Sequence, residues 1–264
     1  MPVEVLLELV ADRDVVFPCF TGHISRGLFL HILRQVDPGL SFSLHEPNVR
    51  KPYSVTPLMF KPRKRVKEGR ILGAKSPCWV SFRFLRDDLA QKFIRYFYGK
   101  SGVLIFDVEF DVNSITIRTK EYGELEREAE KPVGKVKLVF RSPTYLTVSG
   151  TDYHYLFPDH VRVFLHLMRL WNEFTSTRKF SEEEQNEYGE WLFKNVGVAA
   201  HKVGTVPVVF KERPLVGFTG WVVYEIKDEG GWNNVTQMLA MFAEYSNIGG
   251  NRTGGFGVTK YVKL

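Results

Sequence analysis

The sequence predicts an α+β fold: two ferredoxin-like units in tandem, each an antiparallel sheet with two helices on one face. Three observations carry this. The order strand, helix, strand, strand, helix, strand can be read twice along the chain. A charged segment poor in apolar residues, Thr119 to Gly134, separates the two readings. A length of 264 residues suits two domains of roughly 130 residues each. The expected boundaries are residues 1–122 and 135–264, with 123–134 as a linker or exposed hairpin end.

The first unit opens on Pro2 to Ala11, a run rich in leucine and β-branched residues, which reads as a strand. Thr21 to Val36 places Ile24, Leu28, Ile32 and Leu33 at helical spacing. Pro52 to Phe60 reads as extended. In Pro77 to Leu85, Val80, Phe82 and Phe84 alternate with Trp79, Ser81 and Arg83, the pattern of a half-buried strand. Leu89, Phe93 and Phe97 then mark a helix that stops at Gly99. Val103 to Val112 completes the unit as a strand.

The second unit begins with a strand at Lys135 to Arg141. Val161, Phe164, Leu165, Met168 and Trp171 form one face of a long helix. Ser181 to Lys194 reads as an inserted helix, with Ser181 as cap and Glu184 three residues on. Val206 to Phe210 and Gly217 to Ile226 are expected strands. Asn234 is the expected cap of a helix with Val235, Leu239 and Phe242 on its apolar face. Gly255 to Val262 is the expected last strand.

Composition narrows the function classes. The formal net charge is +6, which favours a polyanionic partner. Cys19 and Cys78 belong to no metal-like pair and are too few for a disulfide framework, so both are expected as buried thiols in a reducing, cytoplasmic setting. The opening residues read as a strand and not a signal peptide, and no apolar run is long enough to span a membrane. His154, His160, His166 and His201 fit no metal-ligand spacing, and no Walker-type or dinucleotide loop is present, so no metal and no cofactor are expected.

"SNIGGNRTGGFG", Ser246 to Gly257, holds five glycines within nine residues, with Arg252 and Thr253 among them. Such glycines expose backbone N–H groups, and beside an arginine they form an anion cradle. The surrounding stretch Met238 to Tyr261 resembles the C-terminal signature of the CRISPR-associated endoribonucleases of the sixth Cas family, within the RAMP superfamily. The match runs through Ala243–Ser246, Gly249 or Gly250, Arg252, Thr253 and Gly255-Phe256-Gly257. "VFRSPTYL" at Val139, "LFPDHVRVFLHLMRLWNEF" at Leu156 and "GFTGWVVYEI" at Gly217 resemble further family segments, and "GLFLHIL…LHE…KPYS" does so in the first unit. The resemblance covers most of the chain and implies tandem ferredoxin-like (RRM-like) units.

It also implies a reaction. Such enzymes cleave one bond of CRISPR repeat RNA within precursor transcripts without metal. The 2′-OH attacks the adjacent phosphorus, leaving 2′,3′-cyclic phosphate and 5′-OH ends. The chemistry needs a base, an acid and positive charge on the phosphorane. Histidine suits the proton transfers. His45 stands where the resembled enzymes carry a catalytic histidine, in a segment flanked by Pro38-Gly39 and Pro47 and expected to be irregular and near the surface. Lys51 stands where some relatives carry an active-site lysine; it or Arg50 is expected to neutralise the scissile phosphate. Some relatives place a tyrosine where this chain has Leu30. His31 is its neighbour and the expected substitute, though one residue turns a helix by about 100°; His23 is the next candidate. The family also holds members that bind RNA without cutting it, which is the alternative reading.

For RNA binding, Lys61 to Lys75 carries seven basic residues and one acid and is expected to form a hairpin between two strands. Its Lys61, Arg63, Lys64, Arg65 and Lys67 are expected phosphate contacts. Gly249, Gly250, Arg252, Thr253, Gly255 and Gly257 are expected to lie against the RNA backbone, with Arg252 clamping a phosphate. Tyr53 and Tyr145 are expected as exposed stacking residues. The partners implied are repeat RNA and effector-complex proteins, for a chain that is a monomer or homodimer.

Overall fold

The computed structural model describes residues 1–46, 49–148, 150–210 and 212–264. Its first unit is built from β1 (Val3–Ala11), α1 (Gly22–Val36), α2 (Pro38–Ser43), β2 (Tyr53–Val55), β3 (Pro77–Phe84), α3 (Asp87–Arg95) and β4 (Val108–Thr119). β1 lies centrally, antiparallel to both β3 and β4, with Val3 opposite Phe84 on one side and Thr119 on the other. These four strands run in the order β2-β3-β1-β4, and two short strands, Gly102–Ile105 beside β4 and Met59–Phe60 beside β3, extend the sheet. Alternation dictates the layers: Val3, Val5, Leu7 and Leu9 of β1 are buried, and the residues between them are half-exposed. Phe29 of α1 and Phe93 of α3 pack over this face against Phe82 and Phe84.

A second unit repeats the plan with β5 (Lys135–Thr144), α5 (His160–Phe174), α6 (Glu182–Asn195), β6 (Val196–Phe210), β7 (Arg213–Ile226), α7 (Gly231–Ser246) and β8 (Thr259–Lys263). Its order, β6-β7-β5-β8, has the same topology as the first sheet. The chain is therefore a tandem ferredoxin-like fold. Trp171 of α5 and Phe242 of α7 meet edge-on at 5.4 Å in the core, and Tyr122 meets Trp171 at 5.0 Å. Ser181 caps α6 in a reciprocal capping box with Glu184.

Several local expectations are corrected. Segment 123–134 is no simple linker: α4 (Tyr122–Glu128) occupies much of it, anchored by buried Tyr122 and Leu125, and the Tyr122 hydroxyl donates to the Leu85 carbonyl at 2.7 Å. Val103 to Val112 is a hairpin, not one strand; Gly102–Ile105 pairs with the start of β4, and Phe106 takes a positive φ at the turn. β6 begins ten residues before the expected start at Val206 and β7 four before Gly217; these added lengths are mostly exposed and show no buried alternation. α7 begins at Gly231, so Asn234 lies inside it and is not its cap. β8 starts at Thr259, because the preceding glycines are spent on turns. Cys78 is buried, but Cys19 is exposed. No helix among the described residues is long and apolar enough to cross a membrane.

Candidate active site

α1 is amphipathic in an informative way. Ile24, Leu28, Ile32 and Leu33 go to the core, and the opposite stripe reads His23, Arg26, Gly27, Leu30, His31, Arg34. Those intervals of three and four residues place the stripe on one face. It forms one wall of a cleft of about 490 Å³. The other wall is the short helix α2 and the turn after it.

The sequence holds that second wall firmly. Asp37 caps α2 by accepting the Leu40 N–H at 2.9 Å, and Lys92 sits 2.8 Å from its other oxygen. Both contacts keep the Asp37 carboxyl below the usual carboxylate range, with Lys92 the larger cause. Ser41 donates to the Leu30 carbonyl at 3.1 Å and so fastens α2 to α1. Leu44 is buried in the first core, whereas its neighbour His45 is exposed. The His45 N–H donates to the Phe42 carbonyl at 2.9 Å. The expected irregular segment is thus helical to Ser43, and the catalytic candidate sits in the turn; Pro47 lies outside the described residues.

The cleft brings together His45, His31 and His23, with Arg26 and Arg34. No aspartate or glutamate is among its described lining residues. Leu30 and His31 both reach it, so the one-residue offset does not remove His31 from the site. Lys51 is not among the lining residues. Its ammonium turns back to donate to the Glu46 carbonyl, one residue from His45. Arg50 reaches across to Glu173 of α5 at 3.7 Å. Arg26 and Arg34 join the polar stripe of α1 at the spacing of His23 and His31, which is the sequence signal for them; Phe42, on α2, carries no such signal.

The glycine loop requires the largest correction. Arg252 is 7% exposed and does not face solvent as a clamp. Its guanidinium donates to the Ser246 carbonyl at 2.7 Å and to the Lys51 carbonyl at 3.0 Å. Burial, with Arg50 nearby, lowers its pKa to about 10. At these glycines the protein's own chain makes a close approach. A Cβ on Gly257, which has φ +72°, would lie 1.8 Å from the Ile248 carbonyl oxygen. A Cβ on Gly22 would lie 1.9 Å from that of Gly254, and Gly255 abuts the Gly22 Cα. Gly249 and Gly250 lie against Tyr145. Phe256 is fully buried between Phe20 and Tyr145, tying the units together. Thr253 is half-buried near the Tyr53 hydroxyl.

Tyr53 and Tyr145 are accordingly buried, not exposed for stacking. Tyr53 stacks on Phe29 at 3.9 Å, and burial pushes its hydroxyl up to about 12 although Arg26 lies nearby. His166 accepts the Gly249 N–H at 3.0 Å. Burial, then Arg252, Arg50 and Arg169, push it down to about 3, so it is neutral and an acceptor.

Lys61, Arg63, Lys64, Arg65 and Lys67 are exposed on or beside a small hairpin of Lys64–Val66 with Gly69–Leu72. This hairpin pairs with Val15–Phe17 in a separate three-stranded sheet. Arg63 is held 2.7 Å from Asp14. Lys67 lines a groove of about 1000 Å³ toward Val206–Val209, and His23 lines both this groove and the cleft.

Comparison with known proteins gives a consistent picture. The family model described as CRISPR-associated endoribonuclease Cas6 matches residues 138–259, and the CRISPR Cas6 N-terminal domain matches residues 1–99. A Thermus thermophilus Cas6 superposes with a TM-score of 0.77 at 22% identity, covering 99% of this chain and 98% of that one. Its product complex gives 0.81 at 21% identity, covering 99% of both. A Cas6-related protein from Pyrococcus furiosus gives 0.65 at 12% identity, covering 100% and 99%. No curated protein matches by sequence.

Proposed function

Since the chain belongs to the Cas6 family of CRISPR-associated endoribonucleases, we propose that it cuts CRISPR repeat RNA within precursor transcripts. In this reading the 2′-oxygen bonds to the adjacent phosphorus and the bond from phosphorus to the 5′-oxygen breaks. The 2′-OH proton passes to a base, and an acid returns a proton to the leaving oxygen. The products are a 2′,3′-cyclic phosphate and a 5′-OH. No redox change or external reactant is needed.

The observation that carries this is the meeting of His45 and His31 across one cleft with Arg26 and Arg34, and with no carboxylate among the described lining residues. Two imidazoles supply an acid and a base near neutral pH. The guanidinium groups supply fixed positive charge for the phosphorane. Lys51 acts differently from a phosphate ligand: its bond to Glu46 braces the turn that presents His45. A RAMP protein of the same fold, described as binding different RNA substrates, supports an RNA ligand. RNA leaves the cleft past His23 toward Lys67 and the basic hairpin.

The test is cleavage of end-labelled repeat RNA in EDTA by wild type and His45→Ala. The expected outcome is a cyclic-phosphate product from wild type and a loss of about 10²- to 10⁴-fold in rate for the variant, with RNA binding retained. Binding without cleavage by wild type would favour the RNA-holding alternative, for which Leu30 in place of the family tyrosine is the observation. Cleavage unchanged in His45→Ala would overturn this active site.

A further inference from the structure

Phe42 stands out among the exposed apolar residues because of its place. It is 75% exposed, on a helix whose other anchors are satisfied, and it lines the same cleft as His45. Its carbonyl accepts the His45 N–H, so the two residues are one turn apart on one face. A bare phenyl ring gains nothing from water, and the fold does not use it as core. Around it are imidazoles and guanidiniums, with no acid among the described lining residues. An occupant that fits both features is anionic and carries flat apolar faces. Nucleic acid has both, and stacking requires a base free of its own pair.

Building on the reading of this cleft as the cleavage site, we propose that Phe42 is a stacking platform for one unpaired nucleobase beside the scissile phosphate. The phosphate lies toward Arg26 and Arg34, and the base lies on the ring. Stacking fixes the sugar between them, which is what in-line attack requires. The substrate class is thereby narrowed to RNA with an unpaired nucleotide at the cut.

The test uses the full chain with the His45→Ala change as background, so that binding is read without turnover. Affinity is measured for repeat RNA and for a set of repeats each lacking one base. Phe42→Ala should lower affinity for intact repeat by roughly 5- to 150-fold, the range for one lost stacking contact. Phe42→Trp should restore it, and Phe42→Leu, equally apolar, should not. One abasic position should cost the parent a similar factor and cost Phe42→Ala nothing, a non-additive cycle. Substitution at so exposed a position leaves folding intact, which thermal melting checks. Equal affinity of Phe42→Ala, as expected if the ring instead docks a protein, would overturn the proposal. So would abasic costs that are the same in both proteins. A parent with no affinity for any repeat RNA would sink the cleavage-site reading itself, and the stacking site with it.

Discussion

Gly22→Ala separates two physical rules that disagree in sign. Gly22 is the first residue of α1, and helix propensity alone favours alanine there by up to about 1 kcal/mol. The packing says otherwise. The new Cβ would sit 1.9 Å from the Gly254 carbonyl oxygen and 2.8 Å from its carbon. A relaxed carbon–oxygen contact is about 3.3 Å, so one main chain must move by roughly 1.4 Å. Neither side yields easily. α1 is fixed by its buried leucines, and the turn at Arg252–Gly254 is held by the two Arg252 bonds. Overpacking of this kind costs about 1–3 kcal/mol, which outweighs the propensity gain. The melting temperature should fall by roughly 2–12 °C, at about 2–4 °C per kcal/mol for a chain of this size. Gly27, on the same helix, is the control: nothing lies within 4 Å of its Cβ position. Gly27→Ala should gain about 0.4–1 kcal/mol and raise the melting temperature. Calorimetry of both variants decides the matter. A stabilised Gly22→Ala would refute the close approach of glycine loop and helix.

Two other expectations concern charge. Titration of repeat-RNA affinity against salt should show the slope of log K reduced by about 0.7 for each of Lys61→Ala, Lys64→Ala, Arg65→Ala and Lys67→Ala that removes a phosphate contact; Arg252→Lys should leave the slope unchanged while lowering stability, and a lowered slope would return Arg252 to the RNA. His166 is neutral in the fold with its pKa near 3, whereas the unfolded imidazole titrates near 6.5. Its contribution is therefore fully present above about pH 6.5 and is lost as pH falls toward 3, at about 1.4 kcal/mol per unit. Urea unfolding at pH 7.5 and 5.5 should show a smaller acid loss in His166→Gln than in wild type, by on the order of 1 kcal/mol; equal losses would contradict the buried neutral histidine.

The α+β plan was legible residue by residue. Val80, Phe82 and Phe84 alternate because one face of β3 meets the helices, and Leu28, Ile32 and Leu33 recur because one side of α1 meets the sheet. Such periodicities are local consequences of burial, so they are written in the chain. α4 and the outer lengths of β6 and β7 were not legible, because few of their residues enter a core and no period marks them. Histidine as the acid–base residue, and the segment that carries it, could be read from residue type and family resemblance. Its companions could not. Arg26 and Arg34 reach the cleft beside His45 only when Ser41 fastens α2 to α1 at the Leu30 carbonyl, whereas Phe42 is a chain neighbour three residues before it whose exposure no periodicity marks. The glycine loop shows the limit most plainly. Glycines around an arginine state that something comes close, and sequence reasoning supplied a phosphate. Tertiary structure supplied the protein's own backbone: Gly22 against Gly254, Gly257 against Ile248, and Arg252 on the carbonyls of Ser246 and Lys51. A missing side chain specifies the space for a neighbour; the sequence does not say which neighbour fills it, least of all where the partners are far apart in the chain, as in the bond from Arg252 to Lys51, with a separation of 201.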